Sequence, residues 1–119
     1  MKNSNTFLVE TLRSLTSIPS PSGRTEQIVS WTLELLQSWG YKPELTRRGA
    51  IKLKLPGKDS SRARALTAHL DTLGAMVRHL KGNGRCALAP VGTWSSRFAE
   101  GARVTLHTDE HEYRGTILP

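Results

Sequence analysis

Near the amino terminus apolar residues recur at steps of three and four: Leu8, Leu12 and Leu15, with Thr11 beside them. That spacing puts them on one helical face. It predicts a helix that starts near Asn3 or Asn5, either a suitable cap, and runs to about Leu15. Ser17-Ile18-Pro19-Ser20-Pro21-Ser22-Gly23 ends it, because two prolines remove donors and restrict the residues before them. Ile28, Trp31, Leu35 and Trp39 repeat the three-and-four spacing and predict a second helix over residues 25–39. Gly40 suits the position just past its end.

The period then falls to two. Ala50-Ile51-Lys52-Leu53-Lys54-Leu55 alternates, with Ile51, Leu53 and Leu55 facing inward in a strand. A loop follows over residues 56–61. Ala65-Leu66-Thr67-Ala68 lacks alternation, the pattern of a strand covered on both faces. From Gly74 onward no helical period remains. Residues 75–80 and 85–88 read as paired strands around the turn Lys81-Gly82-Asn83-Gly84, and residues 101–107 and 114–118 as two more. Two helices, an alternating strand and a buried strand predict an α/β fold with helices on a sheet layer. A domain boundary is expected near residues 73–74. The chain stops at Leu118-Pro119, inside an expected apolar strand.

Composition narrows the picture. The chain has 119 residues and is 37% hydrophobic, enough for a packed core. Lys and Arg total 17 against 10 Asp and Glu, a net charge of +7. Such a balance raises nucleic acid or another anionic partner. The basic residues are scattered, however, and only 6% of residues are aromatic. A solvated basic surface, or a fragment whose acidic half is missing, is therefore preferred, and a small nucleic-acid binder ranks a distant third among functions. The single cysteine, Cys86, excludes an internal disulfide and fits a reducing compartment. No apolar stretch has the length of a membrane span, and Met1-Lys2-Asn3-Ser4-Asn5 leads into no signal-type apolar core. A cytoplasmic protein is expected.

Thr67-Ala68-His69-Leu70-Asp71 carries the chemistry. At the end of a strand, His69 and Asp71 would point to the same face. One imidazole nitrogen can bind zinc while the carboxylate holds the other and fixes the tautomer. The spacing suits one ligand and its orienting partner, or a satisfied core histidine; it does not make a complete metal site. Ligands in open α/β sheets gather at such strand ends. His107 and His111 are four apart but fall on a strand and a turn, so they read as surface residues. His79 has no neighbouring partner, and Cys86 reads as a buried inert thiol. Gly82-Asn83-Gly84 precedes a strand, so it offers no helix terminus to a phosphate. Arg47, Arg48, Lys52 and Lys54 fit a solvated strand surface as well as a basic binding face.

In order along the chain stand residues 15–23, Arg48-Gly49-Ala50, Ala68-His69-Leu70-Asp71-Thr72-Leu73-Gly74-Ala75-Met76-Val77, Asn83-Gly84-Arg85, Gly92-Thr93-Trp94 and Arg114-Gly115-Thr116-Ile117-Leu118-Pro119. This series resembles the amino-terminal part of the M42 family of metallo-aminopeptidases (glutamyl and deblocking aminopeptidases). Residues 72–94 are most similar to the subgroup found with bacterial N-acetylglutaminylglutamine amide osmolyte genes. The resemblance implies a metallopeptidase α/β sheet domain carrying two divalent metal ions, zinc or cobalt. It also implies a small inserted β domain that builds homo-oligomers, and a short peptide or small dipeptide as substrate. It makes residues 1–73 the start of the peptidase domain and residues 74–119 the start of the inserted one. His69 would be a terminal metal ligand and Asp71 the carboxylate that orients it. The family's bridging Asp, its Glu general base and its other ligands would lie beyond position 119. The chain is therefore expected to be the front third of an enzyme, inactive alone, or else a non-catalytic oligomerisation module.

Overall fold

The computed structural model describes residues 4–59 and 61–119. The expected cap at Asn3, the segment Met1-Lys2 and Ser60 of the expected loop lie outside them. The chain divides into two compact units, Met1–Thr72 and Leu73–Pro119. Helices in the first and small antiparallel sheets in both make it compatible with part of an α/β protein. Among the described residues no helix is long and apolar enough to cross a membrane.

The first unit holds helix α1, Ser4–Ser17, and helix α2, Glu26–Ser38. Hydroxyls at the end of α1 turn back on its own carbonyls: Ser14 Oγ donates to Glu10 (3.0 Å), Thr16 Oγ1 to Leu12 (2.8 Å) and Ser17 Oγ to Ser14 (2.8 Å). Such bonds compete with further helix, and Pro19 then stops it. Leu8 and Leu12 are exposed, so the expected apolar face of α1 stays open. Phe7 makes the contact instead, its ring 5.4 Å from that of Trp39 and tilted by 54°. Helix α2 buries Ile28, the one buried apolar side chain among the described residues, at 1% exposure. Its end is a Schellman motif: Gly40 N–H donates to the Gln37 carbonyl (2.9 Å) and Tyr41 N–H to that of Leu36 (3.1 Å). Gly40 stands at φ 82°.

Strands β1, Glu44–Leu45, and β2, Ile51–Lys52, form a small antiparallel hairpin. Thr46 organises its turn. Its N–H donates to the Ala50 carbonyl (2.9 Å) and its hydroxyl accepts the Ala50 N–H (3.0 Å). The strand expected over residues 50–55 is thus shorter, with Ile51 and Leu53 half-buried and Leu55 exposed. The buried strand expected at Ala65–Ala68 does not form. These residues are irregular and exposed, and Leu66 is fully so. An apolar run becomes a strand only when a neighbour takes up its N–H and C=O groups, and no ladder reaches this one.

What the approach to His69 does gain is an anchor in the loop between the helices. Ser20 is fully buried and its hydroxyl donates to the Leu70 carbonyl (2.9 Å). Its own carbonyl accepts the Thr72 N–H (2.8 Å), and Pro21 and Thr72 make a single parallel bridge.

The second unit is two hairpins. Strand β3, Gly74–Leu80, pairs antiparallel with β4, Cys86–Val91, from Gly74 opposite Val91 to Leu80 opposite Cys86. The register shifts between Val77 and His79, so Arg78 is bulged. The turn at residues 81–85 has Gly84 at φ 80° and closes with Lys81 N–H on the Arg85 carbonyl (2.7 Å). Trp94 ties the open end of this hairpin: its indole N–H lies 3.1 Å from both the Gly74 and the Val91 carbonyls. After a short 3₁₀ turn, Ser96–Ala99, strand β5, Arg103–His107, pairs antiparallel with β6, Glu112–Thr116. Thr108 closes their turn: its hydroxyl donates to the His111 carbonyl (2.8 Å) and accepts the His111 N–H (2.9 Å).

Candidate metal-ligand pair

His69 and Asp71 meet, but not by strand alternation. The segment is irregular, and the His69 ring folds back over the residue two positions on. Its Nδ1 lies 2.9 Å from the main-chain oxygen of Asp71 and 3.2 Å from Oδ1 of its side chain. A carbonyl and an ionised carboxylate can only accept, so in the neutral ring Nδ1 carries the proton. Nε2 is then left with its lone pair, on a side chain 84% exposed.

Asp71, at 43% exposure, is held from its other side as well. Ser22 Oγ donates to its Oδ2 at 2.6 Å. This hydroxyl is the largest influence keeping the Asp71 carboxyl below its ordinary value; partial desolvation opposes it and the His69 contact adds to it. Ser22 stands in the turn that opens α2. Arg24 N–H donates to the Pro21 carbonyl (2.8 Å), and Gly23 at φ 92° supplies the conformation such a turn requires. The sequence marks residues 17–23 as a helix break and does not single out Ser22. Two serines alternating with two prolines are the one local hint that this break has an inner surface.

The donor set fits one arm of a metal site: a neutral imidazole, tautomer fixed, second nitrogen open. A catalytic zinc takes three protein ligands. Among the described residues no three His, Cys, Asp or Glu side chains converge on a point where an ion could be held. The other candidates are elsewhere. His79 is exposed on β3, and Cys86 is a free, half-buried thiol. His111 is exposed, edge-on to Tyr113 at 6.3 Å. His107 departs from the expected surface position. Its side chain is only 16% exposed, and its Nδ1 lies 2.9 Å from Oε1 of Glu112, its direct cross-strand partner. Lys52 pairs loosely with Glu44 at 3.6 Å, both exposed, as a solvated strand surface would. Gly82-Asn83-Gly84 is a hairpin turn and cradles no helix terminus.

The model of the M42 glutamyl aminopeptidase family matches residues 49–119, more than half of the chain and the stretch that contains His69 and Asp71. The chain belongs to the M42 family. It is 39% identical over 111 residues to "Putative aminopeptidase YhfE" of Bacillus subtilis (strain 168), covering 92% of this chain and 32% of that protein. It is 29% identical over 102 residues to "Glutamyl aminopeptidase" of Lactococcus lactis subsp. cremoris (strain MG1363), covering 85% of this chain and 29% of that protein. This M42 chain thus spans about a third of the length of the curated relatives it matches. Ser22 lies outside the stretch that matches the M42 model, yet it contacts Asp71 within it.

Proposed function

We propose that this chain supplies the amino-terminal share of a metal-dependent aminopeptidase, which removes N-terminal residues from short peptides. One observation carries the reading: in an M42 chain, His69 has its Nδ1–H engaged by Asp71 and its Nε2 open to solvent. Two divalent ions, zinc or cobalt by the family resemblance, would supply Lewis acidity at the scissile carbonyl. His69 Nε2 would hold one of them. Asp71 keeps the imidazole proton on Nδ1, through its main-chain oxygen and its carboxylate together, and so keeps the lone pair on Nε2. Among the described residues no third His, Cys, Asp or Glu side chain joins His69 and Asp71 in a cluster that could hold an ion, so this reading assigns the base and the remaining ligands to other parts of the enzyme.

On this reading residues 1–73 belong to the peptidase domain and residues 74–119 begin an inserted β domain that serves self-association in a cytoplasmic enzyme. Exposed Met76, Leu80 and Tyr113 support the association role.

The test is a chimera in which this chain replaces the matched stretch of the Bacillus relative. Loaded with zinc or cobalt, it is expected to release N-terminal residues from short peptides. His69→Ala should lower that activity by roughly a hundredfold or more. The 119-residue chain alone should release none. A folded, metal-loaded chimera without activity, or one indifferent to His69→Ala, overturns the reading.

A further inference from the structure

The contact between Ser22 and Asp71 asks for an explanation that loop anchoring does not give. The loop is already fixed to the segment at residues 70–72 by three ties that leave side chains of the pair alone. These are the buried Ser20 hydroxyl on the Leu70 carbonyl, the Thr72 N–H on the Ser20 carbonyl, and the bridge of Pro21 with Thr72. Ser22 adds nothing to that backbone register. Its hydroxyl goes to a side-chain oxygen, Oδ2, at 2.6 Å. The opposite oxygen, Oδ1, is the one facing His69 Nδ1, at 3.2 Å.

A carboxylate that is only half covered turns about its side-chain torsions unless something holds it. Held by a hydroxyl on Oδ2, it presents Oδ1 to the imidazole and swings out to water less often. The imidazole proton then has two acceptors, one of them fixed by another residue, and Nε2 remains bare. We propose that Ser22 is a positioning residue. It acts through the Asp71 carboxylate to set the His69 tautomer that leaves Nε2 available as a metal ligand. The inference rests on reading His69 as such a ligand. It adds a third member to the arrangement, brought by the turn that opens α2.

The tautomer can be read without any metal. Long-range proton–nitrogen correlation on the metal-free chain, above the titration of its histidines, separates the Nδ1–H and Nε2–H forms of each ring. The His69 signals are assigned by their loss in His69→Gln. The wild-type chain is expected to show His69 mainly as Nδ1–H. Ser22→Ala should lower the ratio of Nδ1–H to Nε2–H roughly two- to fivefold, the scale of one exposed charge-assisted bond. Ser22→Thr, which keeps the hydroxyl, should restore it. Ser22 is exposed, so the variants are expected to fold, and amide spectra outside residues 20–25 and 69–72 should superpose. In the metal-loaded chimera, Ser22→Ala should lower metal affinity by no more than the same roughly two- to fivefold, with Thr again restoring it.

An unchanged tautomer ratio in folded Ser22→Ala overturns the inference, as does a loss that Thr fails to rescue. Neither result touches the aminopeptidase reading, which stands or falls on His69→Ala in the chimera.

Discussion

At residue scale, Gly40 and Gly92 show two different reasons for a glycine. Both lie in the left-handed region, at φ 82° and 92°. A Cβ on Gly40 would meet nothing within 4 Å, whereas one on Gly92 would come within 2.8 Å of Leu73 Cδ2. Gly40→Ala therefore costs only the conformational penalty, about 1–2 kcal/mol, because the Schellman bonds demand that φ. Chemical denaturation should show a lower midpoint with an unchanged slope; a variant as stable as wild type would mean that α2 ends otherwise in solution. The same distinction between local and distant causes governs the candidate site. The meeting of His69 with Asp71 is legible because the two are neighbours but one, although the route is a folded-back ring and not strand alternation. Ser22 is not legible. Its partner is 49 positions away, and no local pattern reports a contact that a turn at Pro21 and Gly23 creates by bringing two segments together.

At the scale of elements, the parts of the fold legible in the sequence are those whose signal and stabilisation are both local. The three-and-four spacing of Ile28, Trp31 and Leu35 specifies α2, and glycine-bearing turns specify the β3–β4 hairpin. Ala65–Ala68 shows the converse: its composition suits a strand, but the pairing that makes a strand comes from another part of a chain. The extension of β4 to Val91 has a tertiary cause too. Trp94 donates its single N–H between the Gly74 and Val91 carbonyls, 3.1 Å from each, at the last pair of the ladder. Replacing Trp94 by Phe keeps most of the ring and removes that donor, which should cost about 1–2 kcal/mol. Because the donor acts at one end of the hairpin, faster amide exchange is expected around Gly74 and Val91. The turn at residues 81–85 should be unaffected. Uniform acceleration along β3 and β4 would instead make Trp94 a general packing residue.

For the molecule as a whole, two properties oppose one another. Ile28 is the one buried apolar side chain among the described residues, while Leu66, Met76, Leu80 and Phe98 lie in the open. Open apolar side chains favour association, each contributing in proportion to the area it can hide from water. Against this stands a net charge of +7, which makes copies of the chain repel. Salt decides between them, because it screens charge and leaves apolar burial intact or strengthened. The screening length falls from about 30 Å at 0.01 M to about 3 Å at 1 M salt. Sedimentation velocity should therefore find this chain mostly monomeric at low ionic strength and shifted towards larger species as sodium chloride or sulfate is added. A dye that reports open apolar surface should bind the low-salt form and be partly displaced on association. If added salt dissociates the assemblies instead, they are held by ion pairs, and the exposed leucines and Met76 are not what joins one copy to the next.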